Sequence, residues 1–227
     1  MITHLQREIE NLKKKVLHMS AEAEESLRKA VDSLVKRDAR MAQEVIDGDA
    51  EMDRLEVEIE EECLKILALH QPVAIDLRYV VAVLKINSDL ERIGDEAANV
   101  AERAAYLAAH PLIDLPLDFY GMATAVQSMV SRSIDSLVNL DSKVAREVRA
   151  SDDIIDDMNR HMYTVIQDYI KEHPERVMES VHLLSVSRHL ERIGDQATNI
   201  AEDVIYMVEG EIVRHQPEDF SQVLDRS

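Results

Sequence analysis

Apolar residues recur along most of this chain at alternating three- and four-residue intervals, the period of one face of an α-helix. The stretch Val80, Leu84, Leu90, Ile93, Ala97 and Ala101 is a clear case. The pattern predicts long helices over 5–35, 39–69 and 72–109, with Pro72 in the first turn of the third. Gly48 interrupts the second without a cluster of turn residues, so that helix is read through it. The segment HPLIDLP places Pro111 and Pro116 five residues apart and breaks the pattern, because proline lacks the helical N–H and restricts the residue before it. Three further helices are predicted over 119–139, 142–171 and 175–213, with Pro174 at the turn before the last and a tail fraying beyond Pro217.

The second three helices repeat the first. DSLV stands at 32–35 and again at 135–138, and Asp49 and Asp53 correspond to Asp152 and Asp156 at the same offset of 103. LERIGDEAANVAE at 90–102 returns as LERIGDQATNIAE at 190–202, ten of thirteen residues identical at an offset of 100. The expected fold is all-α, six long helices forming two similar three-helix bundles in tandem: residues 1–110, a linker at 111–118, and residues 119–227.

Composition narrows the chemistry. Of 227 residues 46% are hydrophobic but only 4% aromatic, without Trp, so the core is built from Leu, Ile, Val, Ala and Met. The formal charge of −19 argues against a nucleic-acid binder, which carries a basic footprint, and suits cations or basic protein partners. Cys63 is the single cysteine, so neither an internal disulfide nor a thiolate metal cluster is available, and its place in a helical pattern makes it a core residue. The opening MITHLQREIENLKKK has no apolar run and no stretch reaches the length of a membrane span. A cytoplasmic protein is expected.

The repeated segment carries a polar stripe. Asp95, Asn99 and Glu102 lie within about 80° of Glu91 around the helix, and Glu191, Asp195, Asn199 and Glu202 repeat the arrangement. The helix before each adds its own acidic pair: Asp49 and Asp53, continued by Glu56 and Glu60, and Asp152 and Asp156, with Asn159 in the place of Glu56. Carboxylates four apart repel, and two such faces opposed repel more, unless arginines or a cation offset the charge. Oxygen ligands suit iron, manganese, magnesium and calcium. A solvated acidic face is the plainer account of one ExxxD; its duplication on two helices of both halves favours a metal. Asn99 and Asn199 are read either as ligands or as makers of caps or interhelical hydrogen bonds. Gly94 and Gly194 each cost the helix about 0.8–1 kcal/mol relative to Ala, which points to a packing or site constraint at that place.

These segments resemble the PhoU family, accessory and regulatory proteins of phosphate transport. The two LERIGD segments carry the likeness, with QPVAIDLRYV at 71–80, DGDAEMD at 47–53 and SDDIID at 151–156. The resemblance implies two three-helix bundles and metal ions, iron foremost with manganese, magnesium or zinc as other candidates. The ligands it implies are Asp49 and Asp53 with Glu91 and Asp95, then Asp152 and Asp156 with Glu191 and Asp195, with Glu102 and Glu202 as additions. It further implies a negative regulator of the phosphate-starvation response, a homodimer that contacts the transporter's ATPase subunit and a membrane sensor histidine kinase. The second half departs from the pattern: Arg176 and Met178 stand where the first has Asp76 and Arg78.

The competing class is a ferritin-like di-iron oxidase or metal-storage protein. Such proteins carry two ExxH motifs in one four-helix bundle, and this chain has one, Glu179 to His182. No GxxxxGK or GxSxG motif is present, and Ser187-Arg188-His189 is no triad. The chain reads as a non-enzyme.

Overall fold

A computed structural model describes residues 4–213. The expected fraying beyond Pro217 lies outside the described residues. The helices are α1 (His4–Lys36), α2 (Ala39–His70), α3 (Ala74–Ala108), α4 (Phe119–Asn139), α5 (Ser142–Arg149), α6 (Asp152–Glu172) and α7 (Val177–Glu209), with a 3₁₀ turn over Pro174–Arg176. The fold is all-α: α1, α2 and α3 form one three-helix unit, and α4, the α5/α6 pair and α7 form the other.

The α1–α2 and α4–α5 turns are copies of one another. Arg37 and Leu140 adopt left-handed backbone conformations. Asp38 then caps α2, its carboxylate accepting from the N–H groups of Arg40 at 3.0 Å and Met41 at 3.1 Å. Asp141 caps α5 in the same way, through Lys143 at 3.0 Å and Val144 at 3.2 Å. The α2–α3 turn differs from expectation. Gln71 ends α2 in a left-handed conformation, Pro72 and Val73 stay outside either helix, and α3 begins at Ala74. Proline here follows a helix end, which it does as readily as it opens a helix. At the far end Gly210, at φ 76°, caps α7 with its N–H on the Tyr206 carbonyl, so that helix stops short of the expected residue 213.

The expected fifth helix is two. Between α5 and α6 the backbone tightens, with the Ser151 N–H donating to the Val148 carbonyl and the Ser151 hydroxyl to the Glu147 carbonyl at 2.9 Å. Ser151 is the counterpart of Gly48, and α2 passes through Gly48 unbroken. A serine hydroxyl competes for backbone carbonyls where glycine cannot, and Asp152 and Asp153 then favour a fresh N-terminus.

Helices α3 and α7 run antiparallel and join the two units. Lys85 pairs with Asp203 at 3.1 Å, Glu96 meets His189 at 2.5 Å and Arg192 at 3.2 Å, and the Tyr106 ring stacks on His182 with centroids 3.7 Å apart. Arg37 donates to the carbonyl oxygens of Leu107 and His110, and Arg176 to that of Pro111, tying down the proline-bearing connection. One hydrophobic core runs through both units. Val80, Leu90, Ile93, Ala97 and Ala101 lie in it, while Leu84 packs at its edge. Cys63 is buried as expected, and burial pushes its thiol up to about 12. The glycines of the repeated segment mark close approaches. A Cβ on Gly94 would meet the Met52 side chain at 3.0 Å, and one on Gly194 would meet Ile155 at 3.5 Å. Among the described residues no helix is long and apolar enough to cross a membrane.

Candidate metal centre

In the first half, α2 and α3 pack with their acidic faces toward each other. Gly94 lets Met52 settle against α3, which brings the neighbouring Asp53 over the Glu91–Asp95 turn. Asp53, Glu91 and Asp95 each offer a carboxylate oxygen within 4.8 Å of the others. The electrostatics record the crowding. Burial, then Asp95, Glu56 and Asp53, push the Glu91 carboxyl up to about 7, with Arg92 opposing. Asp95 is raised by burial and by Asp53, and Asp49 by burial and then by Asp95 and Asp53. Four of the expected ligands therefore converge: Asp49, Asp53, Glu91 and Asp95. Glu56 belongs with them, its carboxylate accepting from the Ser88 hydroxyl at 3.4 Å. One turn before Glu91, buried Asn87 donates to the Glu56 backbone carbonyl at 2.9 Å.

In the second half the same helices face each other, with more of the charge already answered. Burial raises Asp152, and Asp156 and Asp153 add to it, while the Thr198 hydroxyl donates to Asp152 at 3.1 Å. Burial and Asp156 raise Glu191, with Arg188 and Arg192 opposing. Asp195 rises to about 6 from burial, then Glu191, Asp152 and Asp156. Among the described residues, the first-half triple is the one set of three carboxylates drawn within 4.8 Å.

Glu102 and Glu202 stand apart, about 10 Å further along their helices than Asp95 and Asp195. Exposed Glu102 pairs with Arg103 at 3.3 Å, and Glu202 with Arg149 at 3.2 Å. Asn99 donates to the Asp95 carbonyl at 2.9 Å and Asn199 to the Gln196 side chain at 3.5 Å, so both bond within their own helix. The ExxH pair is spent elsewhere, Glu179 on Arg176 at 3.4 Å and His182 in the stack on Tyr106. Sequence reading missed the Thr198–Asp152 bond and the bridge from Glu96 to His189 and Arg192. The first was signalled by Ala98 becoming Thr198; the second had no local signal.

The donor set fits a hard cation. Three oxygens within 4.8 Å of one another match ligands that each stand about 2.0–2.6 Å from a shared ion. Among the described residues no nitrogen or sulfur donor joins the triple, and the Glu91 and Asp95 carboxyls are raised by burial and by neighbouring carboxylates.

Two three-helix units joined along the α3–α7 seam, each with carboxylates of two neighbouring helices drawn close together, define a duplicated all-α protein. The profile of the PhoU domain matches the chain twice, over residues 16–104 and 119–204, and the chain belongs to the PhoU family. It is 42% identical over 210 residues to a phosphate-specific transport system accessory protein PhoU homolog of Aquifex aeolicus, covering 92% of this chain and 95% of that one. A Pseudomonas aeruginosa protein of the same description is 36% identical, covering 92% of this chain and 86% of its own length. Among solved structures, PhoU from Pseudomonas aeruginosa superimposes with a TM-score of 0.88 at 34% identity, covering 92% of this chain and 100% of that one. The phosphate transport system regulatory protein PhoU from Streptococcus pneumoniae gives 0.83 at 26% identity, covering 92% and 99%.

Proposed function

We propose that this chain is a non-enzymatic regulator of phosphate homeostasis. In this reading it serves as an accessory of a phosphate transporter and restrains the phosphate-starvation response when phosphate is plentiful. The observation that carries the reading is the match of both halves to the PhoU domain, joined to relatives described as phosphate-specific transport accessory proteins that align over 92% of the chain. The partners in this reading are the transporter's ATPase subunit and a membrane sensor histidine kinase. A surface of net charge −19 suits docking on basic faces of either. Family resemblance is the support for pairing of two copies, which light scattering on the purified chain checks.

The acidic clusters hold hard cations in this account. Asp49, Asp53, Glu91 and Asp95 would bind in the first half, and Asp152, Asp156, Glu191 and Asp195 in the second. A bound ion would neutralise the crowded carboxylates and brace α2 on α3 and α6 on α7 at fixed spacing. An all-oxygen donor set favours iron, manganese or magnesium over zinc, which prefers nitrogen and sulfur. The di-iron oxidase reading finds no support, because Glu179 and His182 are engaged away from both clusters.

Deleting the gene is expected to leave phosphate-starvation genes switched on in phosphate-rich medium, and the intact chain to restore their repression. Unchanged repression in the deletion strain would refute the regulatory role. Metal content of the chain purified from cells tests the cation: Asp53→Asn with Asp95→Asn is expected to lower it.

A further inference from the structure

The α3–α7 seam sets how the two units stand against each other, and its two ends are built differently. Toward the start of α3, Lys85 lies over the Tyr206 ring, 5.5 Å from its centroid, with Asp203 beside it at 3.1 Å. At the other end the counterpart ring, Tyr106, carries histidines: His182 of α7 stacks on it at 3.7 Å and His110 at 3.9 Å. His110 is settled, its Nδ1–H donating to the Tyr106 carbonyl at 2.7 Å. The Nδ1 of His182 is buried and has no hydrogen-bond partner among the described residues. A proton placed there becomes a buried donor with nothing to receive it.

The surroundings oppose that charge as well. Arg103 of α3, which pairs with exposed Glu102, and His110 act on His182 from across the seam. Arg37, from the α1–α2 turn, sits on the carbonyls of Leu107 and His110. From its own helix Glu179 acts in its favour, but Arg176 of the preceding turn holds that carboxylate at 3.4 Å. Burial, then Arg103 and His110, hold the His182 ring below the ordinary histidine range. A cation over a ring face is favourable where an anion accompanies it, as Asp203 accompanies Lys85. His189, seven residues on, likewise has Glu96.

We propose that His182 makes this end of the seam a proton-sensitive joint: the neutral ring holds the start of α7 on Tyr106, and protonation releases it. The bridges from Glu96 to His189 and from Lys85 to Asp203, with α1 packed on α4, keep the rest of the two units together. The α6–α7 turn then shifts against the first unit, so a surface that includes both changes shape with pH. The neutral ring is the form the fold favours, so the stack is intact above the ordinary histidine value of about 6.5 and is lost as pH falls below it.

Melting temperature mixes this effect with the carboxylates of the two clusters, so the test reads distance. Spin labels on Arg40→Cys and Glu172→Cys, both exposed, report the stacked end; labels on Leu69→Cys and Lys143→Cys report the other, with buried Cys63 left in place. Between about pH 8 and about pH 5 the first distance is expected to lengthen and broaden, and the second to hold. His182→Phe keeps a ring on Tyr106 that takes no proton, and is expected to abolish the change. His182→Gln carries the test should circular dichroism show that the Phe variant does not fold. The His182 ring signal in NMR is expected to titrate below about 6.5. A first distance that ignores pH, an equal change at both ends, or a change that survives loss of the imidazole overturns the proposal.

Discussion

The second helix of the first half and its counterpart in the second half began as the same element and now differ in one instructive way. Helix α2 runs unbroken through Gly48, the residue with the poorer helix propensity, while Ser151 splits its counterpart into α5 and α6. Propensity alone predicts the reverse. The serine hydroxyl turned back on the Glu147 carbonyl, followed by two aspartates that welcome a helix N-terminus, outweighs a propensity difference of under about 1 kcal/mol. The same divergence reaches the acidic faces, since α6 opens at Asp152, a member of the second cluster. A duplicated scaffold can therefore keep its fold while its two sites drift apart.

The sharpest way to break the comparison is through the core. Leu90→Ala and Leu190→Ala each empty a fully buried position on matching turns and are each expected to cost about 2–5 kcal/mol. Because one core spans both halves, either change should lower a single melting transition; two separate transitions by calorimetry would show that the halves unfold independently. Glu96→Ala removes the bridge to His189 and Arg192 and leaves a largely buried histidine without its partner, an expected loss of about 1–3 kcal/mol in urea denaturation. Its counterpart Gln196 has no such pair to lose, so Gln196→Ala is expected to cost less.

Acidity separates the clusters. Glu91 is raised to about 7 and Asp195 to about 6, so the folded chain binds these protons more tightly than the unfolded chain does. Stability in metal-free buffer is therefore highest below the ordinary carboxyl range and is lost as pH rises through each folded value. Melting temperature should fall between about pH 4.5 and 7, and Asp53→Asn with Asp95→Asn should flatten the upper part of that fall. Saturating Mn²⁺ should flatten it as well, since a bound cation takes the place of the protons. A melting temperature unchanged across this range would refute the crowding. The smallest effect belongs to the glycines. Gly194→Ala meets Ile155 at ordinary contact distance and is expected to gain up to about 1 kcal/mol, whereas Gly94→Ala must displace Met52 and gains less or nothing.

What the sequence determined by itself is local and repeated. Apolar periodicity placed the helices to within a few residues, aspartates at 38 and 141 capped two of them, and the doubled LERIGD segment announced two bundles with matched acidic stripes. Each of these is decided within one or two helical turns. The tertiary structure decided which stripes meet. Asp53 joins Glu91 and Asp95 because of how α2 slides along α3 at Gly94, a register that no single helix encodes. It also sent Glu202 to Arg149 on another helix and set Glu96 across the seam from His189 and Arg192. The turn at Ser151 lies between these cases. It is local, but it turns on a serine hydroxyl choosing its own backbone over solvent, a balance of a few tenths of a kcal/mol that packing in the finished bundle resolves.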